Sequence, residues 1–336
     1  MGNRYYSGPV SDHFDGKRFF VPGAPSTDKT LVDLWKWHRQ GTRTKWPRAV
    51  PAVSGVRPET RIEALTVTHI GHASVLLQLH RYNVLIDPVW SDRASPLRWL
   101  GPRRYNAPAI RLRDLPPIDA ILLTHNHYDH MDVPTLRRLV KTHNPVVLTP
   151  LGNDTVLRKS IADVRVVPGD WWTEHALLPE LQAVIAPAYH WSSRSAFDRR
   201  MALWGGFVLK AAGTTIYCAG DTGFADGGVF RQVAARFPKI DLALLPIGAY
   251  DPRWFMQAQH ADPEDALQIA DILHARAALG IHWGTFHLTD EPWDEPARRF
   301  ADGVVRRGWD GQHFLPLHAG DTWTAAASLQ ISRAAT

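Results

Sequence analysis

Four side chains able to ligate a metal crowd into six consecutive residues, His125-Asn126-His127-Tyr128-Asp129-His130. They follow at once on an apolar run, Ile121-Leu122-Leu123, that reads as a buried strand. Three neutral imidazoles and one carboxylate are too many for a single open catalytic zinc, which takes three protein ligands and keeps one position free. They are the right number to begin two adjacent cation sites. In an extended segment alternate side chains share a face, so His125 and His127 point together while Asp129 and His130 turn toward a second ion. A polar loop with chance histidines is the competing explanation. An apolar strand leading straight into this spacing makes it the weaker one.

The pattern resembles the metallo-β-lactamase superfamily, whose members carry His-x-His-x-Asp-His after a strand of an αββα sandwich. The resemblance implies three more ligands downstream: a histidine, an aspartate that bridges the metals, and a last histidine. The chain offers these in order, each after an apolar stretch. His190 follows the run from Leu181 to Tyr189, Asp221 follows Ile216 to Gly220, and His282 follows Ala278 to Ile281. Singly each is ordinary, since a histidine beside a strand is more often a satisfied polar group and Gly-Asp-Thr-Gly is a common turn. With 17 histidines there is room for choice near His282: His274 falls late in an expected helix, and His287 follows a Gly-Thr turn. The resemblance assigns His125, His127 and His190 to one metal, Asp129, His130 and His282 to the other, and Asp221 to both. It implies two zinc ions sharing a hydroxide that acts as nucleophile. Imidazole and carboxylate without thiolate suit zinc, and iron and manganese remain compatible.

Other stretches resemble one branch of that superfamily, the N-acylphosphatidylethanolamine-hydrolysing phospholipase D enzymes and their bacterial relatives. They are Gly71-His72-Ala73-Ser74, Leu85 to Pro96, Leu203-Trp204-Gly205, Pro246 to Tyr250, Pro252-Arg253-Trp254-Phe255-Met256, Gln259-His260 and Ile281 to Phe286. This resemblance implies a metal-dependent hydrolase that cleaves a phosphodiester in an N-acyl phospholipid or a related compound. His260 and Asp129 are the candidates for handling the proton of the leaving group, and Asp87 for orienting a metal-bound histidine. Trp90, Arg93, Tyr250 and Trp254 are candidates for contacting substrate. In the loop Asp87–Ile110, Arg93, Arg98, Arg103 and Arg104 could pair with phosphate, interleaved with Trp90, Leu97, Trp99 and Leu100. A structural loop, with arginines paired to acids such as Asp92, weighs equally. Two other functions stay open: a lactonase or carboxyl-ester hydrolase akin to ascorbate-6-phosphate lactonase, and a non-catalytic, metal-stabilised binding protein.

Ligands that converge from several strand ends require sheets to hold them. Short β-branched or leucine-rich runs recur from residue 64 onward: 64–70, 74–79, 83–86, 120–123, 146–148, 164–167, 181–185, 207–209, 215–218, 242–245 and 278–281. Helix patterns fall at 30–39 with Ser26 or Asp28 as cap, after Asp132 with Leu136, Leu139 and Val140 inward, at 228–237, and at 263–274 behind Asp262. Two sets of strands, each followed by helices, predict a four-layer αββα sandwich. Residues 61–336 are expected to form this catalytic domain and residues 1–60, rich in Pro, Gly, Arg and Trp, an extended arm wrapping it. Lysine plus arginine exceed aspartate plus glutamate by 38 − 33 = 5, without a block of like charge, so nucleic acid is not indicated. The one cysteine, Cys218, excludes an internal disulfide and reads as a core residue in a reducing compartment. The first residues carry no secretory pattern and no run is long enough to span a membrane. A cytoplasmic enzyme is expected, acting on a small-molecule or phospholipid substrate, with peripheral membrane contact as an option and the oligomeric state open.

Overall fold

The computed structural model describes residues 2–41 and 43–325. Met1, Thr42 and the last stretch of the expected catalytic domain, 326–336, lie outside the described residues. Two seven-stranded sheets stack face to face between helices, the αββα sandwich that the strand rhythm predicts.

The first sheet begins as an antiparallel meander, β1 (Thr66–Gly71), β2 (Ser74–Leu79) and β3 (Tyr82–Ile86). It continues in parallel through β4 (Ala120–Leu122), β5 (Val146–Pro150) and β6 (Arg165–Gly169). The second sheet repeats the plan. Here β7 (Glu174–Leu178), β8 (Leu181–Ala186), β9 (Gly206–Ala211) and β10 (Thr214–Cys218) are antiparallel. Then β11 (Leu242–Pro246), β12 (Ala278–Ile281) and β13 (Phe314–Pro316) run parallel. A last strand, β14 (Thr322–Thr324), crosses back to pair with β1.

Both faces of each sheet are covered, so the strands are apolar throughout rather than alternating. Period two still sorts the side chains. Val75, Leu77 and Leu79 of β2 enter the layer between the sheets with Ala183 and Ile185 of β8, and Cys218 lies in the same layer. Leu76 and Ile121 point the other way, onto Leu136 and Leu139 of α2 (Val133–His143). On the far side Tyr217 and Leu245 meet Phe230 of α4 (Gly228–Arg236), Leu267 of α6 (Pro263–Ile272) and Phe300 of α7 (Glu295–Arg306). The arm is anchored by Phe14 and Phe19, both buried against Leu203 and Trp204, and by the Tyr5 hydroxyl, which donates to Asp198 Oδ2 at 2.6 Å.

Several expectations are corrected. Thr30, not Ser26 or Asp28, caps α1 (Leu31–Gln40), through a capping box with Asp33. Asp132 occupies the cap position of α2 but makes no cap bond. Its carboxylate instead accepts from Ser91 N, Ser91 Oγ and Thr135 Oγ1. His274 lies beyond the end of α6, in a left-handed conformation (φ 48°). The strands β7, β13 and β14, and the helices α3 (Asn153–Ser160), α5 (Arg253–Met256) and α7, were not anticipated.

Candidate metal centre

Strand ends at one rim deliver the polar residues. β4 runs into His125–His130, while β8, β10 and β12 lead to His190, Asp221 and His282. The chain must turn sharply there. Asp87 and His282 adopt left-handed conformations with φ of 41° and 66°, a strain that clusters where surrounding structure enforces it, and Gly220 takes φ 63° without strain. A Cβ on Gly220 would lie 2.8 Å from Thr124 Cγ2, so the second sheet's turn fits directly against the residue preceding His125.

The seven residues singled out in the sequence come together. His125 Nε2 and His190 Nε2 face His127 Nδ1 at 2.9 and 3.2 Å, and His130 Nε2 faces His282 Nε2 at 3.2 Å. Asp221 lies between the two groups: its Oδ2 is 3.2 Å from His130 and 3.6 Å from His190, its Oδ1 3.0 Å from His282. Asp129 Oδ2 is 3.7 and 3.8 Å from the Nε2 atoms of His130 and His282. Ligands held about 2.0–2.1 Å from one cation are separated by about 2.9–3.4 Å at right to tetrahedral angles. The confronted nitrogens show that spacing. Imidazole nitrogens that confront one another at ligand spacing, with two carboxylates set among them, fit cations.

The rear nitrogens fix the tautomers. His190 Nδ1 donates to the Gln259 carbonyl at 2.9 Å. His130 Nδ1 donates to Asp87 Oδ2 at 2.7 Å. His125 Nδ1 is 2.9 Å from Thr124 Oγ1, which itself donates to Asp87 Oδ2 at 2.6 Å. One carboxylate therefore orients a histidine in each group.

Burial pushes the imidazoles of His190 and His260 down to about 3 and that of His127 to about 4. They are neutral, the form that ligates. Burial also disfavours charge on His130 and His282. There the carboxylates outweigh it, Asp221 first, lifting His282 to about 9 and His130 well above its ordinary value. In return those imidazoles hold Asp129 and Asp221 well below the carboxylate range despite burial.

The remaining candidates are placed unevenly. His260 joins the cluster, its Nδ1 3.9 Å from Asp221 Oδ2 and without a hydrogen-bond partner. Trp90 and Arg93 border a cleft of about 510 Å³ whose wall includes Tyr128, between two candidate ligands. Tyr250 is fully buried and its hydroxyl is spent on Glu295 Oε1 at 2.7 Å, so it cannot meet a ligand. Trp254 lies outside the cluster, 37 % exposed, beneath Lys36. Arg104 is buried, its Nη2 and Nε donating to the carbonyls of Val89 and Ser91 while its Nη1 has no partner. His287 stacks on Trp46 instead of backing a metal ligand. His72 was not assigned from sequence, yet its Nε2 lies 2.9 Å from Asp129 Oδ2. A histidine in a glycine turn between two strand signals was the available clue.

A profile described as beta-lactamase superfamily domain matches residues 82–283. The chain is 33 % identical over 273 residues to the N-acyl-phosphatidylethanolamine-hydrolyzing phospholipase D 1 of Caenorhabditis elegans, covering 78 % of this chain and 76 % of that one. It is 34 % identical over 237 residues to the mitochondrial protein of that name in Saccharomyces cerevisiae, which covers 69 % of this chain but only half of the yeast protein. Among solved structures, an isothiocyanate hydrolase from Delia radicum gut bacteria superimposes with a TM-score of 0.61 at 21 % identity, over 78 % of this chain and all of that one.

Proposed function

Since this chain belongs to the metallo-β-lactamase superfamily and is a metal-dependent hydrolase related to the N-acylphosphatidylethanolamine-hydrolysing phospholipases D, we propose that it hydrolyses phosphodiesters of N-acyl phospholipids or close analogues, with two zinc ions. The observation that supports a pair is the sharing of Asp221 between two adjacent groups of ligating atoms. His125, His127 and His190 would hold one ion, Asp129, His130 and His282 the other, and Asp221 both. Bound there, the ions polarise a phosphoryl oxygen, offset its developing charge and make water more acidic.

The chain's own groups handle binding and protons. Asp129 is ionised and 13 % exposed at its side chain, so it can receive the proton that water loses on adding to phosphorus. As the P–O bond to the N-acylethanolamine breaks, Asp129 returns that proton to the leaving oxygen. Neutral His260 orients the phosphoryl group by donating a hydrogen bond. Trp90 and Arg93, on the cleft beside Tyr128, receive the lipid portion. No helix among the described residues is long and apolar enough to cross a membrane, and we place the enzyme in the cytoplasm with peripheral access to lipid.

The test is turnover of bis-p-nitrophenyl phosphate, N-acylphosphatidylethanolamine and a panel of lactones by zinc-replete protein, before and after chelation and with His127→Ala. Diester hydrolysis lost on chelation and in the variant, and regained with zinc, is expected. Lactone turnover without diesterase activity would overturn the assignment of the bond.

A further inference from the structure

The connection between β8 and β9 is folded around one buried carboxylate. Asp198 Oδ1 accepts from Ser193 Oγ at 2.8 Å, Arg194 N at 3.0 Å and Ser195 N at 2.8 Å, the local bonding by which an aspartate shapes a turn. Its Oδ2 takes the Tyr5 hydroxyl of the arm, and Met201 N donates to its carbonyl at 3.0 Å. Arg194 therefore projects from a fixed support, and its side chain lies across the loop that carries four candidate ligands. Arg194 Nη1 donates to Asn126 O at 2.9 Å and to Met131 O at 3.0 Å. The guanidinium sits 4.0 Å from the centre of the Tyr128 ring, and the Tyr128 hydroxyl donates back to Arg194 O at 3.0 Å. His127, Asp129 and His130 all fall between the two bridged carbonyls. Inside that span His130 N and Met131 N donate to His127 O, at 3.1 and 2.8 Å. The Asn126 side-chain amide is buried without a hydrogen-bond partner among the described residues, so it adds no support of its own.

We propose that Arg194 is a positioning residue of the metal centre: one nitrogen ties the two ends of segment 126–131 and so holds ligands of both cations at their spacing. The proposal rests on reading those residues as ligands and goes beyond it by naming what keeps them in place. Its sign separates it from simple electrostatics. A guanidinium beside two cations repels them, so removal of a residue acting through charge alone would tighten zinc binding. Removal of a tie loosens it. A residue that only stabilised the fold would lower Tm and leave the affinities alone.

The test measures both zinc affinities of the full chain by chelator competition, and turnover of bis-p-nitrophenyl phosphate as zinc is raised. Arg194→Met should weaken both affinities together by about 10–100-fold, the loss that follows removal of a residue supporting metal ligands. Its turnover should fall at limiting zinc and recover toward that of the parent when zinc is in excess. Arg194→Lys keeps three hydrogens on one nitrogen and should lie between the parent and the methionine variant. Arg194→Gln, polar but too short for both carbonyls, takes the place of the methionine variant if that one does not fold. Unchanged or tighter affinities, weakening at one position only, or a lysine variant as weak as the methionine one overturns the tie. Turnover still lost at saturating zinc would place Arg194 on the phosphoryl group and equally overturn it. A parent that binds two zinc ions yet hydrolyses no diester removes the phosphodiesterase reading, while the affinities still decide the tie.

Discussion

Residues 125–130 place four candidate ligands on one loop after β4, whereas the second half of the chain delivers His190, Asp221 and His282 one at a time, from the ends of β8, β10 and β12. The first arrangement is local. Its geometry depends on a single strand end and on one carboxylate behind it, Asp87, which reaches both His130 and, through Thr124, His125. The second is dispersed, and each member depends on its own strand register and its own turn. A shared support lets the local half fail as a unit. In the dispersed half, a residue matters in proportion to how many partners it alone reaches.

The sharpest trial of that contrast is Asp221, the only dispersed member lying against both groups. Asp221→Asn should reduce diester turnover by at least about 10²–10³-fold, the loss that follows removal of one electrostatic stabiliser at a reacting centre. Bound zinc, read by elemental analysis, should fall for both positions. Retention of one full equivalent would show that Asp221 serves a single cation. A smaller effect probes the local half. Asp87→Asn should weaken both zinc affinities together by about 10–100-fold, measured by chelator titration. Weakening of one alone would break the claim that the loop behaves as a unit.

The smallest effect lies at the joint between the halves. His13 of the arm donates from Nδ1 to Asp12 at 2.6 Å and from Nε2 to Asp170 at 2.8 Å, just after β6. Burial disfavours its charge, but the hydrogen bonds to Asp170 and Asp12 outweigh burial and raise it above 6.5. The imidazolium is therefore favoured by the fold. Its contribution is complete below the ordinary value of 6.5 and fades as pH rises through the raised one. Tm measured across that interval should decline slightly with pH in the parent, and His13→Gln should flatten the decline. An identical slope in the variant would remove His13 as the cause.

The same contrast decides what could be read from residues alone. His125–His130 is visible because its spacing is dense, and the core strands because burial on both faces leaves long apolar runs such as Ser74–Leu79. His190, Asp221 and His282 needed a resemblance to lift them above other histidines and turns. The edge strands β7, β13 and β14 escaped notice because they are short and partly exposed. α7 was missed although its Phe300 and Val304 are buried, since its inward stripe is carried by few apolar residues. Tyr250 resembled a recognition group, but its hydroxyl is taken up by Glu295. Type and position in the chain do not reveal where a donor is already occupied. His72 shows the converse, a turn residue that tertiary contact with Thr285 and His282 turns toward Asp129.

The return of β14 to β1 has a consequence for biogenesis. The outer edge of the first sheet consists of Thr66–Thr68 until residues 322–324 pair with it. A nascent chain emerging from the ribosome therefore exposes an open template for strand addition until residues 322–324 have been made. The earliest-made sheet is the last to be sealed, and premature termination anywhere before Thr322 leaves a product with an adhesive flank.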